Sequence, residues 1–126
     1  MSAPRHPLGH AGIDGLHIEW EQALARLQDA QDEAALAAAV RGLIAATEHH
    51  FGTEEAWMRA SGFAPADCHA REHAGVLEVV CEVQRRLEAG DTEVARRLGE
   101  ELPRWFELHA TTMDAQLAQH LAESPR

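Results

Sequence analysis

Nine histidines in 126 residues are the side chains best placed to do chemistry, because imidazole ligates metals and exchanges protons near neutral pH. Five of them, His17, His50, His69, His73 and His109, fall with Glu54 and Asp114 on faces of helical patterns that are otherwise apolar. One histidine on such a face needs a single hydrogen-bonding partner. Five need five, and buried carboxylates are costly unless paired or coordinating a cation. A shared metal site removes these penalties together. Five imidazoles and two carboxylates exceed the donor set of one four-coordinate zinc, whereas two metal ions bridged by carboxylates fit the count.

The spacing sets the geometry. His50 and Glu54, and likewise His69 and His73, are i, i+4 pairs that project from one helix face toward one point. His109 and Asp114 are five residues apart, about 140° around an ideal helix. Two arrangements satisfy that spacing: a local widening such as a π-bulge, or an Asp114 that leans in from the flank.

Four helical patterns position these residues. β-branched residues are sparse, alanine is abundant and no alternation is sustained, so the chain is all-α. The first pattern, residues 14–29, places Leu16, His17, Trp20, Leu24 and Leu27 on one face. The second, residues 32–60, starts from the capping carboxylate of Asp32 and carries Leu36, Val40, Leu43, Ile44, Thr47, His50, Phe51, Glu54 and Met58. Gly62 and Pro65 supply a stop and a restart. The third, residues 65–89, carries His69, His73, Val76, Val80, Val83 and Leu87. Gly90 and Asp91 form the next break and cap, and the fourth, residues 91–122, carries Val94, Leu98, Leu102, Trp105, His109, Met113, Leu117 and Leu121. Pro103 predicts a kink or short break over residues 101–103. Short connections pack such helices as an up-down-up-down antiparallel four-helix bundle, expected over residues 13–126 with a separable N-terminal segment at residues 1–12.

Composition narrows the partners. The 11 basic residues, all arginine, against 21 acidic ones give a net charge of −10, which repels phosphate backbones and anionic lipid; neither nucleic acid nor a membrane surface is an expected partner. No apolar run reaches the roughly 20 residues of a membrane span, and the first ten residues are unlike a leader. Cys68 and Cys81 lie about 20 Å apart by helical rise on one pattern and read as free thiols. A cytoplasmic, monomeric protein is expected.

The stretches Ile13-Asp14-Gly15-Leu16-His17, His50-Phe51-Gly52-Thr53-Glu54-Glu55-Ala56-Trp57-Met58, His69-Ala70-Arg71-Glu72-His73 and Trp105-Phe106-Glu107-Leu108-His109, with Asp114, resemble in order the motifs of the hemerythrin family, particularly the bacteriohemerythrins. The resemblance spans roughly residues 13–121 and covers all seven ligand positions. It implies a non-haem di-iron centre that binds O2 reversibly. His69, His73 and His109 would hold one iron, His17 and His50 the other, and Glu54 and Asp114 would bridge both with a hydroxide or oxide. The two-histidine iron would keep an open position for O2, within an apolar wall for which Phe51, Met58 and Trp105, with Trp20 and Phe106, are candidates. Carriage, storage or delivery of O2, to an O2-consuming enzyme among other receivers, is the implied role. The chain departs from the family pattern at Leu16, Ala110, Thr111 to Met113 and Leu117, none of them a ligand position; a small Ala110 would widen access to the open iron and hasten autoxidation.

Rival readings are weaker. His69-Ala70-Arg71-Glu72-His73 also matches the H-x-x-E-H zinc-protease signature, in which the glutamate activates water, but Glu72 reads more simply as a flanking residue. Ferritin-like di-iron enzymes depend on Glu-x-x-His pairs, which this chain lacks. A redox enzyme that reduces peroxide or nitric oxide or oxidises ferrous iron, and an oxygen or redox sensor acting through a partner, remain as alternatives on the same centre. His6, His10, His49 and His120 are expected at the surface. Trp20, Trp57 and Trp105 read as structural aromatics, and Arg85, Arg86, Arg96 and Arg97 as members of intrahelical ion pairs.

Overall fold

The computed structural model describes residues 4–123; the first three residues of the N-terminal segment and the last three of the chain lie outside the described residues. Its elements are α1 (Ala11–Asp29), α2 (Glu33–Ser61), α3 (Ala66–Glu88), α4 (Thr92–His109), a π-helical turn (Ala110–Asp114) and α5 (Ala115–Glu123). The backbone stays in the right-handed helical region at His109 and Ala115. Thus α4, the π-turn and α5 form one rod. The result is an all-α four-helix bundle in which α1 packs on α2 and α4, and α3 on α2 and α4.

Local chemistry accounts for the helix ends. His10 caps α1, its Nδ1 accepting the Ile13 N–H at 3.1 Å, which starts the helix three residues earlier than the sequence pattern suggests. Asp32 and Asp91 cap α2 and α4 through the N–H groups of Ala35 and Val94. At the end of α2, Gly62 adopts φ +68°, and the Phe63 N–H returns to the Met58 carbonyl at 3.0 Å.

Pro103 does not break the fourth helix: Thr92–His109 is continuous. A proline at this position leaves the Gly99 carbonyl without its helical donor. The Gln28 side chain of α1 supplies one, its Nε2 donating to Gly99 O at 3.0 Å. Gly99 is buried, and a Cβ there would stand 3.5 Å from Gln28 Cγ, in ordinary van der Waals contact. A second expectation also changes. Arg85 and Arg86 do pair with Glu82 within α3, but Arg96 reaches across to the Ala30 and Gln31 carbonyls just past α1.

The interior has two apolar layers. The larger joins residues from all four helices, among them Trp20, Leu36, Leu43, Val80, Leu102 and Phe106. The smaller, at the opposite end, holds Ile13, Met58, Phe63, Leu117 and Ala118, with Leu8 against it. Between them lie the buried histidines and carboxylates.

Gln28→Ala should destabilise the protein by about 1 kcal/mol in urea denaturation, the cost of a lost hydrogen bond. In a Pro103→Ala background, where the helix supplies its own donor, that cost should shrink toward zero.

Candidate metal centre

Antiparallel packing brings the beginnings of α1 and α3 beside the later parts of α2 and of the α4–α5 rod. His17 lies in the first half of α1, His50 and Glu54 in the second half of α2, His69 and His73 at the start of α3, and His109 and Asp114 across the π-turn. All seven side chains are at most 1% exposed. The π-turn settles the two alternatives left by the spacing: the rod widens, and this is what aligns Asp114 with His109.

The donor atoms form two groups. One comprises His69, His73, His109, Glu54 and Asp114; the other comprises His17, His50, Glu54 and Asp114, and within each the donor atoms lie within 4.8 Å of one another. Only the two carboxylates belong to both. Glu54 Oε1 lies 3.4 Å from His69 Nε2 and 3.2 Å from His73 Nε2, while Oε2 is 3.0 Å from His50 Nε2. Asp114 Oδ1 lies 3.0 Å from His69 Nε2 and 3.1 Å from His109 Nε2, and Oδ2 is 2.8 Å from His17 Nε2. Each carboxylate therefore turns one oxygen to each group.

These contacts leave bonding capacity unused. Glu54 Oε1 and Asp114 Oδ1 make no aligned hydrogen bond despite their close neighbours. The Nε2 atoms of His73 and His109 stand 3.3 Å apart. On the far side of each ring, Nδ1 faces a carboxylate: Glu55 Oε2 at 3.0 Å for His73 and Glu72 Oε1 at 2.8 Å for His109. A carboxylate can only accept, so each Nδ1 carries the hydrogen, and in the neutral rings the two Nε2 lone pairs confront one another. A cation between them converts that repulsion into ligation. The residues present therefore fit a metal.

In the metal-free protein, protons take the cation's place. Burial disfavours the charged form of His69, but its bonds to Asp114 and Glu54 outweigh this and push it up to about 9. His109 is likewise raised, with burial opposed by Asp114 and Glu72. Burial alone would raise Glu54 and Asp114; the surrounding histidines instead hold both well below the usual carboxylate range.

Aromatic rings close the site. Phe51 stacks on His73 with centroids 3.8 Å apart, and Trp105 stacks on His109 at 4.6 Å. On the two-histidine side, Phe106 stands edge-on to His17 at 4.8 Å and to His50 at 6.2 Å. Trp20 backs Phe106 at 4.5 Å, and its indole N–H donates to Thr47 at 3.0 Å. Met58 belongs to the smaller apolar layer. Glu55 and Glu72 had no identified role in the sequence; each adjoins a core residue, Glu54 or His73, but its target lies on another helix. With Glu72 engaged behind His109, the zinc-protease reading loses its base. Among the four remaining histidines, His49 is exposed as expected, whereas His6, His10 and His120 are half-buried, His120 lying 3.0 Å from the Ser61 carbonyl.

The fold and site define a class: a four-helix bundle enclosing a histidine–carboxylate cation centre. The family described as "Hemerythrin HHE cation binding domain" matches residues 8–121. A bacteriohemerythrin of Ralstonia nicotianae is 42% identical over 116 residues, covering 92% of this chain and 84% of that protein. One from Pseudomonas aeruginosa is 31% identical over 106 residues, covering 82% and 69% respectively. No solved structure matches at comparable stringency. The chain belongs to the hemerythrin family.

Linkage fixes the pH behaviour of the metal-free protein. The raised His69 contributes stability that is complete below its ordinary value of 6.5 and lost as pH rises through about 9. The lowered carboxylates contribute above their ordinary values of 4.5 and 3.8, and lose that contribution as pH falls below them. The thermal midpoint of the metal-free protein should therefore decline on both sides of a maximum between about 4.5 and 6.5. A midpoint that is flat from 6.5 to 9 would contradict this assignment.

Proposed function

We propose that this protein binds O2 reversibly at a non-haem di-iron centre and serves in oxygen carriage, storage or delivery rather than in catalysis. The observation that carries the reading is the asymmetry of the two donor groups: they share Glu54 and Asp114, but one has three histidines and the other two. His69, His73 and His109 would hold one iron, His17 and His50 the other, with the two carboxylates bridging. The second iron is thus one protein donor short, and a small ligand can reach it without displacing a side chain. Imidazole and carboxylate together suit iron. When bound, the iron pair supplies the electrons that reversible O2 binding draws on.

The chain's own residues do the rest. Glu54 and Asp114 each present an oxygen to both groups and so keep the two ions close. Phe106, held by Trp20 and the Trp20–Thr47 bond, walls the two-histidine side with hydrocarbon and limits the water that could reach it. Phe51 stacks on His73 but also stands edge-on to His50 at 5.5 Å, so Phe51 and Phe106 together wall the proposed O2 position, while Trp105 covers His109. Ala110 is the first residue of the π-turn and is fully buried; a side chain this small at that position would ease entry of O2 and shorten the life of the oxygenated form. No helix among the described residues is long and apolar enough to cross a membrane. With the free thiols of Cys68 and Cys81, this supports placement in the cytoplasm.

Loading with ferrous iron under anaerobic conditions, followed by O2 titration and argon purging, should give a visible charge-transfer band that appears and disappears over repeated cycles. Steady consumption of reductant with turnover would favour the redox-enzyme alternative. His50→Ala should abolish the band while circular dichroism still reports a helical bundle; unchanged oxygenation in that variant would overturn the ligand assignment.

A further inference from the structure

Two carboxylates outside the metal-binding set divide the histidines unequally. Glu72 Oε1 is 2.8 Å from His109 Nδ1, and Glu55 Oε2 is 3.0 Å from His73 Nδ1. Each bond crosses between helices: Glu72 reaches from α3 to the α4 histidine, and Glu55 from α2 to the α3 histidine. Both glutamates are only partly exposed, 39% and 28%, so their bonds are partly shielded from water. The contrast lies on the other side of the centre. His17 Nδ1 and His50 Nδ1 are buried without a hydrogen-bond partner, as is His69 Nδ1 in the three-histidine group, so a carboxylate backs two of three histidines there and neither of the two here. Both carboxylate–imidazole pairs thus fall in the three-histidine group and none in the two-histidine group.

A carboxylate behind a ligating histidine fixes the tautomer and the ring orientation and makes Nε2 a stronger donor. We propose that Glu55 and Glu72 are positioning residues that make the two metal positions unequal, so that the three-histidine position fills first and empties last. The inference rests on the two-iron reading above. It has a functional consequence: the ion at the position with the open site is the exchangeable one, and its loss leaves a chain that still holds one iron but cannot take up O2.

The wild-type protein, loaded anaerobically with two equivalents of ferrous iron, is mixed with excess ferrous chelator while the coloured chelate is counted. Two phases of one equivalent each are expected. Glu72→Leu and Glu55→Leu, which remove the acceptor, should accelerate the slow phase by about 10- to 100-fold and leave the fast phase unchanged. Glu72→Gln and Glu55→Gln keep an acceptor oxygen without its charge and should restore part of the slow rate. A merely structural role predicts a different pattern, a lowered thermal midpoint with both phases accelerated alike, and that result would overturn the proposal. An unchanged slow phase in the Leu variants, or a single phase for both ions in the wild type, would overturn it as well. Fewer than two equivalents bound by the wild type would overturn the two-iron reading itself, a failure recognisable because it appears before any chelator is added.

Discussion

Glu54 and Asp114 are fully buried in a bundle of four helices, and each has histidines of other helices around it. Burying a carboxylate carries a desolvation penalty that a hydrocarbon core cannot offset, so these two side chains dictate what must surround them. Five imidazoles converge on them, three around each carboxylate with His69 shared. The imidazoles in turn face one another at Nε2···Nε2 separations of 3.2 and 3.3 Å, a crowding that protons relieve in the metal-free protein and a cation relieves better. The apolar layers above and below the centre hold the helices together, which keeps this arrangement from simply opening to water.

The same constraint explains the departures from regular geometry. Two ligand pairs use the i, i+4 spacing that an α-helix provides without distortion, but Asp114 follows His109 by five residues. The π-turn over Ala110–Asp114 supplies the missing rotation. Its placement is local: α4 before it and α5 after it keep ordinary helical backbone. Pro103 shows a related economy, since the carbonyl it orphans is satisfied by Gln28 from α1 and the helix continues to His109.

Much of this was legible in the sequence because it depends on helical periodicity. The apolar stripes ran through His17, His50, His69, His73 and His109, and a polar residue on an apolar face is visible without knowing what it meets. The helix caps Asp32 and Asp91 and the Gly62 stop were legible for a similar reason, being local. What escaped depends on partners distant in sequence. Glu55 and Glu72 are partly exposed and sit off the stripes, and their targets lie on other helices, 18 and 37 residues away. The continuity of α4 through Pro103 depended on Gln28, 71 residues from the Gly99 carbonyl that it satisfies. The choice between a π-turn and a leaning Asp114 also needed coordinates, because both satisfy the spacing.

The central claim is that two metal ions lie side by side, each bound to a different set of histidines and both to the same two carboxylates. Anomalous diffraction at the iron edge, from crystals loaded anaerobically with ferrous iron, addresses it directly. The account predicts two peaks per chain: one among His69, His73 and His109, the other against His17 and His50, with Glu54 and Asp114 touching both. A single peak, or a second peak away from His17 and His50, would contradict it.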